Sequence, residues 1–173
     1  MFKLLFFNLL FYTATIVSIY SLSVTDVDSN NISFNSFRGK KILIVNTASS
    51  SNQVSQLNEL QQLYLQHQDS LVVIAFPSNS FGNEPKNDLE IKSFMQASHG
   101  VSFPIVAKSW VTGDSANVVY RWLSEKMQND VTNARAKTDF QKFLIDNSGF
   151  IVAKFDSSVS PLSTLVQNAI HNN

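Results

Sequence analysis

The chain has 173 residues, and its 13 lysines and arginines equal its 13 aspartates and glutamates, so the formal net charge is zero. This balance excludes the strong basic field that nucleic-acid binding requires. The sequence contains no cysteine, which excludes disulfides, thiol catalysis and cysteine metal sites. Its three histidines, His67, His99 and His171, are scattered and show no metal-ligand spacing. We therefore expect no metal, no cofactor and no nucleic-acid partner in a chain long enough for one domain with a sizeable core.

The N-terminus is almost entirely apolar. Residues 2–20 carry a single cation, Lys3, and the run has the length of a signal-peptide core, at the short limit for a spanning helix. We predict that residues 1–20 are a signal peptide or membrane anchor that contacts the membrane, and that residues 21–173 form the domain. The protein would then be exported (periplasmic or extracellular) or membrane-anchored. The alternative is a buried N-terminal helix or strand in a cytoplasmic protein. Small residues suited to cleavage are Ala14, Ser18, Ser21 and Ser23.

Residues 42–82 organise the rest of the chain. Two continuous apolar runs, residues 42–45 and 71–76, predict strands buried on both faces. The segment between them predicts a helix that begins near residues 52–55 and ends at 66–68, with Leu57, Leu60, Leu63 and Tyr64 on one face. Strand, helix, strand is a parallel βαβ unit, and chemistry in such sheets lies beyond the carboxyl ends of the strands. The loops 46–52 and 77–82 are therefore where a site is expected.

The flanking segments complete an α/β fold. A hairpin at residues 23–28 and 31–34 precedes a basic turn at 38–41, whose cations we expect in solvent. Further along, turn residues 146–149 join two predicted strands. A helix is predicted at 87–98, with its inner face formed by Leu89, Ile91, Phe94 and Met95, and it is followed by a bent edge segment at 101–106. Next come a helix at 116–126 with Trp122 in the core, a loop at 127–137, and strands at 139–145 and 150–155. The last predicted element is a helix at 161–170 with Pro161 in its first turn, and its inner face is formed by Leu162, Leu165, Val166, Ala169 and Ile170.

This order describes a thioredoxin-like sandwich, with a central mixed β-sheet flanked by helices and an N-terminal β-hairpin. Several segments are similar to the glutathione peroxidase family, over about residues 18 to 170 and in order. They read GKKILIVNTASSS (39–51), LNELQQLY (57–64), VIAFPSNSFGNEP (73–85), GVSFPIVAK (100–108) and FQKFLIDNSGFIVAKF (140–155). The short 127–137 connection resembles that of members without the long oligomerisation loop, so we expect a monomer.

The resemblance implies reduction of hydroperoxides, using glutathione or thioredoxin, in the response to oxidative stress. The family's peroxidatic cysteine or selenocysteine corresponds to Ser51, and its glutamine to Ser80. Its tryptophan and asparagine correspond to Thr138 and Asp139. All four members of the usual site are thus substituted. Two further cysteines that are common in the family correspond to Ser78 and Met95.

Serine cannot perform the family's reaction. A thiolate or selenolate attacks the O–O bond and becomes a sulfenic or selenenic species, whereas an alcohol has no such reversible oxidation ladder. Serine is also a weak nucleophile unless a base activates it, and none of the three histidines is expected beside the strand ends, which argues against a hydrolase. The sequence therefore predicts a catalytically degenerate, pseudoenzyme-like member that acts as a binding or interaction module. Two alternatives stay open: an active hydroperoxide reductase, if residue 51 is really selenocysteine or cysteine, and a purely structural envelope protein.

Overall fold

A four-stranded mixed sheet in the order β4-β3-β5-β6 forms the centre of the fold in the computed structural model, which describes residues 16–172. β3 (Lys41–Thr47) pairs in parallel with β4 (Leu71–Pro77) and antiparallel with β5 (Lys142–Ile145), which pairs antiparallel with β6 (Ile151–Phe155). The predicted parallel βαβ unit is confirmed, with α1 (Gln56–Gln66) as its helix.

The continuous apolar runs of β3 and β4 follow from burial on both faces. Ile42 and Ile44 pack into one hydrophobic cluster with Trp122, while Leu43 and Val45 pack into a second cluster on the other face of the sheet. Each fully buried aliphatic side chain contributes about 1.5–3 kcal/mol, so this alternation fixes the register of the strand.

The remaining elements surround the sheet. β1 (Ser23–Thr25) and β2 (Asn31–Ser33) form the predicted antiparallel hairpin, and residue 106 bridges to its end at residue 26. The helices are α2 (Asp88–Ser93), continued by a π-helical turn (Phe94–Ser98), then α3 (Val118–Ser124), α4 (Lys126–Asn129) and α5 (Thr164–His171). Within residues 16–172 no helix combines the length and apolarity needed to cross a bilayer. Most of the predicted signal or anchor segment lies outside the described residues.

Residues at the start of the described chain pack onto the domain. Ile19 and Tyr20 are buried, and the backbone carbonyl of Val17 accepts a hydrogen bond from Trp122 Nε1 at 2.6 Å. The backbone amide of Val17 donates to Gln128 O at 2.8 Å. The core position predicted for Trp122 is thus confirmed, and residues 17–20 are part of its packing.

Lys41 corrects the prediction of a solvated basic turn. Its side chain is only 7% exposed, and Nζ donates to the carbonyls of Ile170 at 2.7 Å and Ala169 at 3.3 Å, and also to that of Asn172. The last carbonyls of a helix lack partners within the helix and carry partial negative charge, so a cation is stabilised there. Lys41 therefore joins the start of β3 to the C-terminal end of α5.

Several predicted boundaries and orientations were wrong. Segment 127–137 is not all loop, because α4 (Lys126–Asn129) reaches into it. Leu89 and Leu165 are exposed rather than inward. α5 begins after Pro161, since the Ser163 side chain caps it by accepting from Val166 N. α3 covers only the middle of the predicted 116–126 helix.

β5 begins at Lys142 rather than at residue 139 for a local reason. Phe140 has a φ of 57°, in the left-handed region that a bulky side chain rarely adopts. Its amide donates to Asn46 O at 2.6 Å, and its carbonyl accepts from Lys142 Nζ at 2.8 Å. These two contacts hold a turn at residues 139–141 that ends the strand and places Asp139 beyond its end.

Candidate functional site

The ends of β3 and β4 lie side by side, as the parallel pairing requires. Thr47 is paired with Pro77, and the amide of Ser78 donates to Thr47 O at 3.0 Å. The two loops that follow are also joined, because the amide of Ser50 donates to Asn83 O at 3.0 Å. The strand-end loops predicted from the sequence therefore form one continuous surface.

Ser51 occupies a buried turn between β3 and α1. Its side chain is 9% exposed, and Oγ accepts a hydrogen bond from the amide of Gln53 at 3.3 Å. The hydroxyl therefore lies beneath the surface, with its oxygen already engaged by the backbone of its own turn.

Asp139 lies next to Ser51, although it comes from a distant part of the chain. It is 2% exposed, and Oδ2 accepts from Asn83 Nδ2 at 2.7 Å, whereas Oδ1 has no hydrogen-bond partner among residues 16–172. Burial raises the pKa of Asp139 above its usual value, and this outweighs the lowering by Asn83 and by the nearby Ser51 hydroxyl. The Ser51 hydroxyl is thus close enough to affect the carboxyl group without completing a regular hydrogen bond to Oδ1.

Ser80 and Thr138 have other partners. Ser80 Oγ accepts from Ser78 Oγ at 2.9 Å and from the amide of Val111 at 3.0 Å, so it ties its loop to the segment before α3. The side chain of Thr138 is exposed, and its carbonyl accepts from Asn46 Nδ2 at 2.9 Å. The structure brings Ser51 and Asp139 together directly. Thr138 adjoins them through the backbone, and Ser80 follows the neighbouring strand.

Two residues of the site were missed by the sequence reasoning, which treated 82–86 only as a loop. Asn83 bridges the loop of Ser50 to the Asp139 carboxylate through the contacts given above. Glu84 is buried, and its carboxylate accepts from the amide of Ser49 at 2.8 Å and from Ser49 Oγ at 2.7 Å. Polar residues directly after β4 were the available signal, since both strand-end loops meet at this edge.

A buried lysine, Lys142, holds the turn that carries Asp139. The side chain of Lys142 is fully buried, and burial lowers its pKa to about 8, against the opposing effect of Glu59 and Asp156. Because its Nζ holds the carbonyl of Phe140, this amine fixes the turn that carries Asp139. Nothing in the residue pattern of the strand predicted a buried cation at this position.

The histidines lie away from the site. His67 and His171 stack edge to face with ring centroids 5.3 Å apart, and His99 Nδ1 lies 2.9 Å from Asn58 Oδ1. His67 is half-buried rather than a simple surface residue, with Nε2 3.0 Å from Gln167 Oε1. Within residues 16–172 no histidine forms a hydrogen bond with Ser51 or Asp139, and no group of three or more metal-ligating side chains is present. The site thus has an alcohol and a carboxyl group without an imidazole base.

Comparison with solved structures identifies the fold of the protein. The apo crystal structure of Trgpx superposes with a TM-score of 0.68 at 29% identity, over 91% of this chain and 98% of that chain. A thioredoxin-family thiol:disulfide interchange protein from Chlorobium tepidum shares the fold alone, with a TM-score of 0.61 at 18% identity, over 91% of this chain and 99% of that chain. The protein therefore has a thioredoxin-like fold.

The sequence comparisons are more specific. The family model described as glutathione peroxidase matches residues 19–124. Glutathione peroxidase-like peroxiredoxin 2 from Saccharomyces cerevisiae is 38% identical over 148 residues, which is 84% of this chain and 91% of the yeast protein. The glutathione peroxidase homolog BsaA from Bacillus subtilis is 34% identical, over 84% of this chain and 92% of its own length. The chain belongs to the glutathione peroxidase family, as its sequence segments indicated, and it is a member without any cysteine.

Proposed function

We propose that this member of a hydroperoxide-reducing family keeps the scaffold but has lost peroxide reduction, and that it acts as a binding or interaction module through its strand-end surface. The positions assigned to the family's site are Ser51, Ser80, Thr138 and Asp139. The observation that carries the proposal is the pairing of a buried Ser51 with Asp139, whose pKa is raised rather than lowered. Within residues 16–172 no cation or imidazole contacts Ser51, and its neighbour Asp139 is a carboxyl group that would oppose formation of an anionic nucleophile beside it.

The absence of a thiol or selenol is the chemical reason for the loss. Peroxide reduction requires an atom that displaces hydroxide from the O–O bond, is itself oxidised, and is then reduced by a thiol. A serine oxygen cannot enter this cycle, and the sequence has no cysteine elsewhere to replace it. Met95, where a third family cysteine is common, is buried in the core and cannot act as a resolving thiol.

A turnover assay tests the loss of catalysis. The full chain is incubated with hydrogen peroxide or a lipid hydroperoxide, together with glutathione or with thioredoxin and its reductase. We expect no turnover above a heat-inactivated sample, and turnover by the unmodified chain would overturn the proposal. Reading codon 51 of the gene tests the rival explanation, in which the protein is an active hydroperoxide reductase. A UGA codon would make the natural residue selenocysteine and restore the family's chemistry.

Restoring the family's residues tests the assignment of the four positions. We compare Ser51→Cys alone with the quadruple variant Ser51→Cys/Ser80→Gln/Thr138→Trp/Asp139→Asn. The single variant is expected to stay near background, because its thiol would face the Asp139 carboxyl group. The quadruple variant is expected to gain peroxidase activity. Equal activity in the two variants would show that the other three positions were assigned wrongly.

The binding role has its own test. The partners that the family implies are glutathione, thioredoxin and hydroperoxides, so calorimetric titration with glutathione and with thioredoxin comes first. We expect binding that is weakened by Asp139→Asn and unchanged by Lys126→Gln, an exposed position elsewhere on the molecule. Failure of both titrations, combined with recovery of the protein only as part of a membrane-associated assembly, would favour the structural envelope role instead.

We also propose that the protein is exported or membrane-anchored through its N-terminus. If a signal peptidase cuts the chain, packing of Ile19, Tyr20 and Val17 favours a cut at Ala14 over cuts at Ser21 or Ser23, which would remove core side chains. N-terminal sequencing of the protein from its native host tests this. A mature chain that begins after residue 20 would contradict the preferred cut at Ala14, and recovery of the intact chain only from the cytoplasm would contradict export or anchoring.

A further inference from the structure

The hairpin groove is an apolar cleft of 310 Å³ between β1, the segment 106–109 and α3. Its apolar lining includes Val24, Val106 and Val118, and two cations, Lys108 and Arg121, stand at its edge. A volume of this size lies at the lower end of small-molecule sites, which are mainly apolar with a few polar groups that orient the ligand. The groove is separate from the strand-end site, and its role does not depend on the proposed loss of catalysis.

Neither cation of the groove forms an ion pair with a carboxylate among the described residues, although Arg121 also borders a neighbouring cavity lined by Asp114 and Glu125. Among residues 16–172 the ion pair that forms is between Lys92 and Asp28, and Arg121 takes part in none. Lys108 Nζ donates to a neutral carbonyl, that of Lys86, while the nearby Asp88 carboxylate accepts from the backbone amide of Lys108 instead. No aspartate or glutamate lines the groove.

The apolar lining of the groove and its two cations together indicate which kind of molecule would bind there. A small inorganic anion would satisfy the cations but leave the valine surface exposed to water. A neutral apolar molecule would cover the valines but leave both cations unpaired. The chain's own residues 1–15 fit poorly, because they carry one lysine and no acidic residue. An acyl chain that ends in a carboxylate satisfies both requirements, with the tail on the valines and the carboxylate between the guanidinium and the ammonium.

We propose that the hairpin groove binds a medium-chain fatty acid or a similar monocarboxylate amphiphile. Arg121 is the principal anchor, because its planar guanidinium pairs with a carboxylate through two parallel hydrogen bonds. Lys108 adds a second positive charge, and the apolar wall formed by Val24 and Val118 holds the chain.

Calorimetric titration of the full chain with decanoate, below its micelle concentration, tests the proposal. We expect saturable binding of decanoate, weaker binding of 1-decanol, and none of decylamine, which places a positive charge beside two cations. The double variant Lys108→Gln/Arg121→Gln should bind decanoate at least about tenfold more weakly, since loss of even one charge-assisted hydrogen bond costs about that much and the variant removes several. The matched control Lys126→Gln/Lys137→Gln removes the same charge from exposed positions outside the groove and should bind like the unmodified chain.

A second variant separates the apolar wall from the charges. Val24→Thr keeps the shape and suits a strand, so it should fold normally while weakening decanoate binding. Three results would overturn the proposal: no binding of decanoate, equal binding of decanoate and decylamine, or equal affinity in the Lys108→Gln/Arg121→Gln variant. If decanoate binds only after residues 1–15 are removed, the chain's own segment fills the groove and the proposal also fails.

Discussion

The buried Lys142 makes the stability of the protein depend on pH in an unusual direction. Its pKa is about 8 in the folded protein and 10.5 when exposed, so over this interval the unfolded chain binds more protons than the folded one. Stability must therefore rise as pH increases through this window. Two and a half pKa units correspond to about 3 kcal/mol in total, most of which should appear between pH 7 and pH 10.

The variant Lys142→Met isolates this effect, because methionine has a similar shape and no charge. Subtracting its unfolding free energy from that of the unmodified chain at each pH cancels the other titrating groups. We expect the difference to move in favour of the unmodified chain by about 2–3 kcal/mol from pH 7 to pH 10. Loss of the hydrogen bond to Phe140 O adds a cost that applies at both pH values, so it does not alter this trend.

Urea unfolding followed by circular dichroism at four pH values measures the difference. Lys126→Met, at an exposed position, is the matched control and should show no such trend. A difference between the unmodified chain and Lys142→Met that stays constant with pH would refute the reasoning. It would mean that the Lys142 amine stays charged in the folded protein up to pH 10, with water or a carboxylate closer than the structure shows.

Three further predictions concern the site and the turn beneath Tyr20. In Ser51→Cys the thiol should have a pKa at or above about 8.5, because it lies beside a carboxyl group and not a cation, and an alkylation profile with a midpoint below pH 7 would contradict this. Asp139→Asn should gain stability relative to the unmodified chain as pH rises from 3 to 7, since a raised carboxyl pKa makes ionisation oppose folding, and urea titrations at both pH values would expose the opposite sign. Gly149→Ala should destabilise by roughly 2 kcal/mol or more, because its Cβ would lie 2.8 Å from Tyr20 Cε2 at a φ of 95°. Gly39→Ala, with a φ of 85° and open space, is the control, and an equal loss in both would show that backbone strain alone matters.

The sequence was sufficient for the sheet and for the location of the site. Continuous apolar runs at residues 42–45 and 71–76 can be buried only in strands covered on both faces, and parallel strands must end at the same edge. The parallel pairing of β3 with β4 and the joined loops after them follow from these two constraints. The sequence also shows that the chain contains no cysteine, and this excludes thiol-based peroxide reduction.

Details that depend on contacts between distant segments were not predictable in the same way. Phe140 leaves the strand because Asn46 and Lys142 hold it in a left-handed turn, and neither contact has a local pattern. Similarly, Leu89 has the spacing of an inward residue but is 76% exposed. Hydrophobic periodicity predicts a face, while packing decides which part of the face is covered.

The sequence by itself determined the order of the main elements, the family and the absence of any cysteine thiol, because these depend on residue identity and local spacing. Only the tertiary structure decided the pKa shifts of Lys142 and Asp139 and the burial of Lys41. The physical reason is that the cost of burying a charge depends on every group packed around it. Those groups come from segments far apart in the chain, so they meet only when the fold is complete.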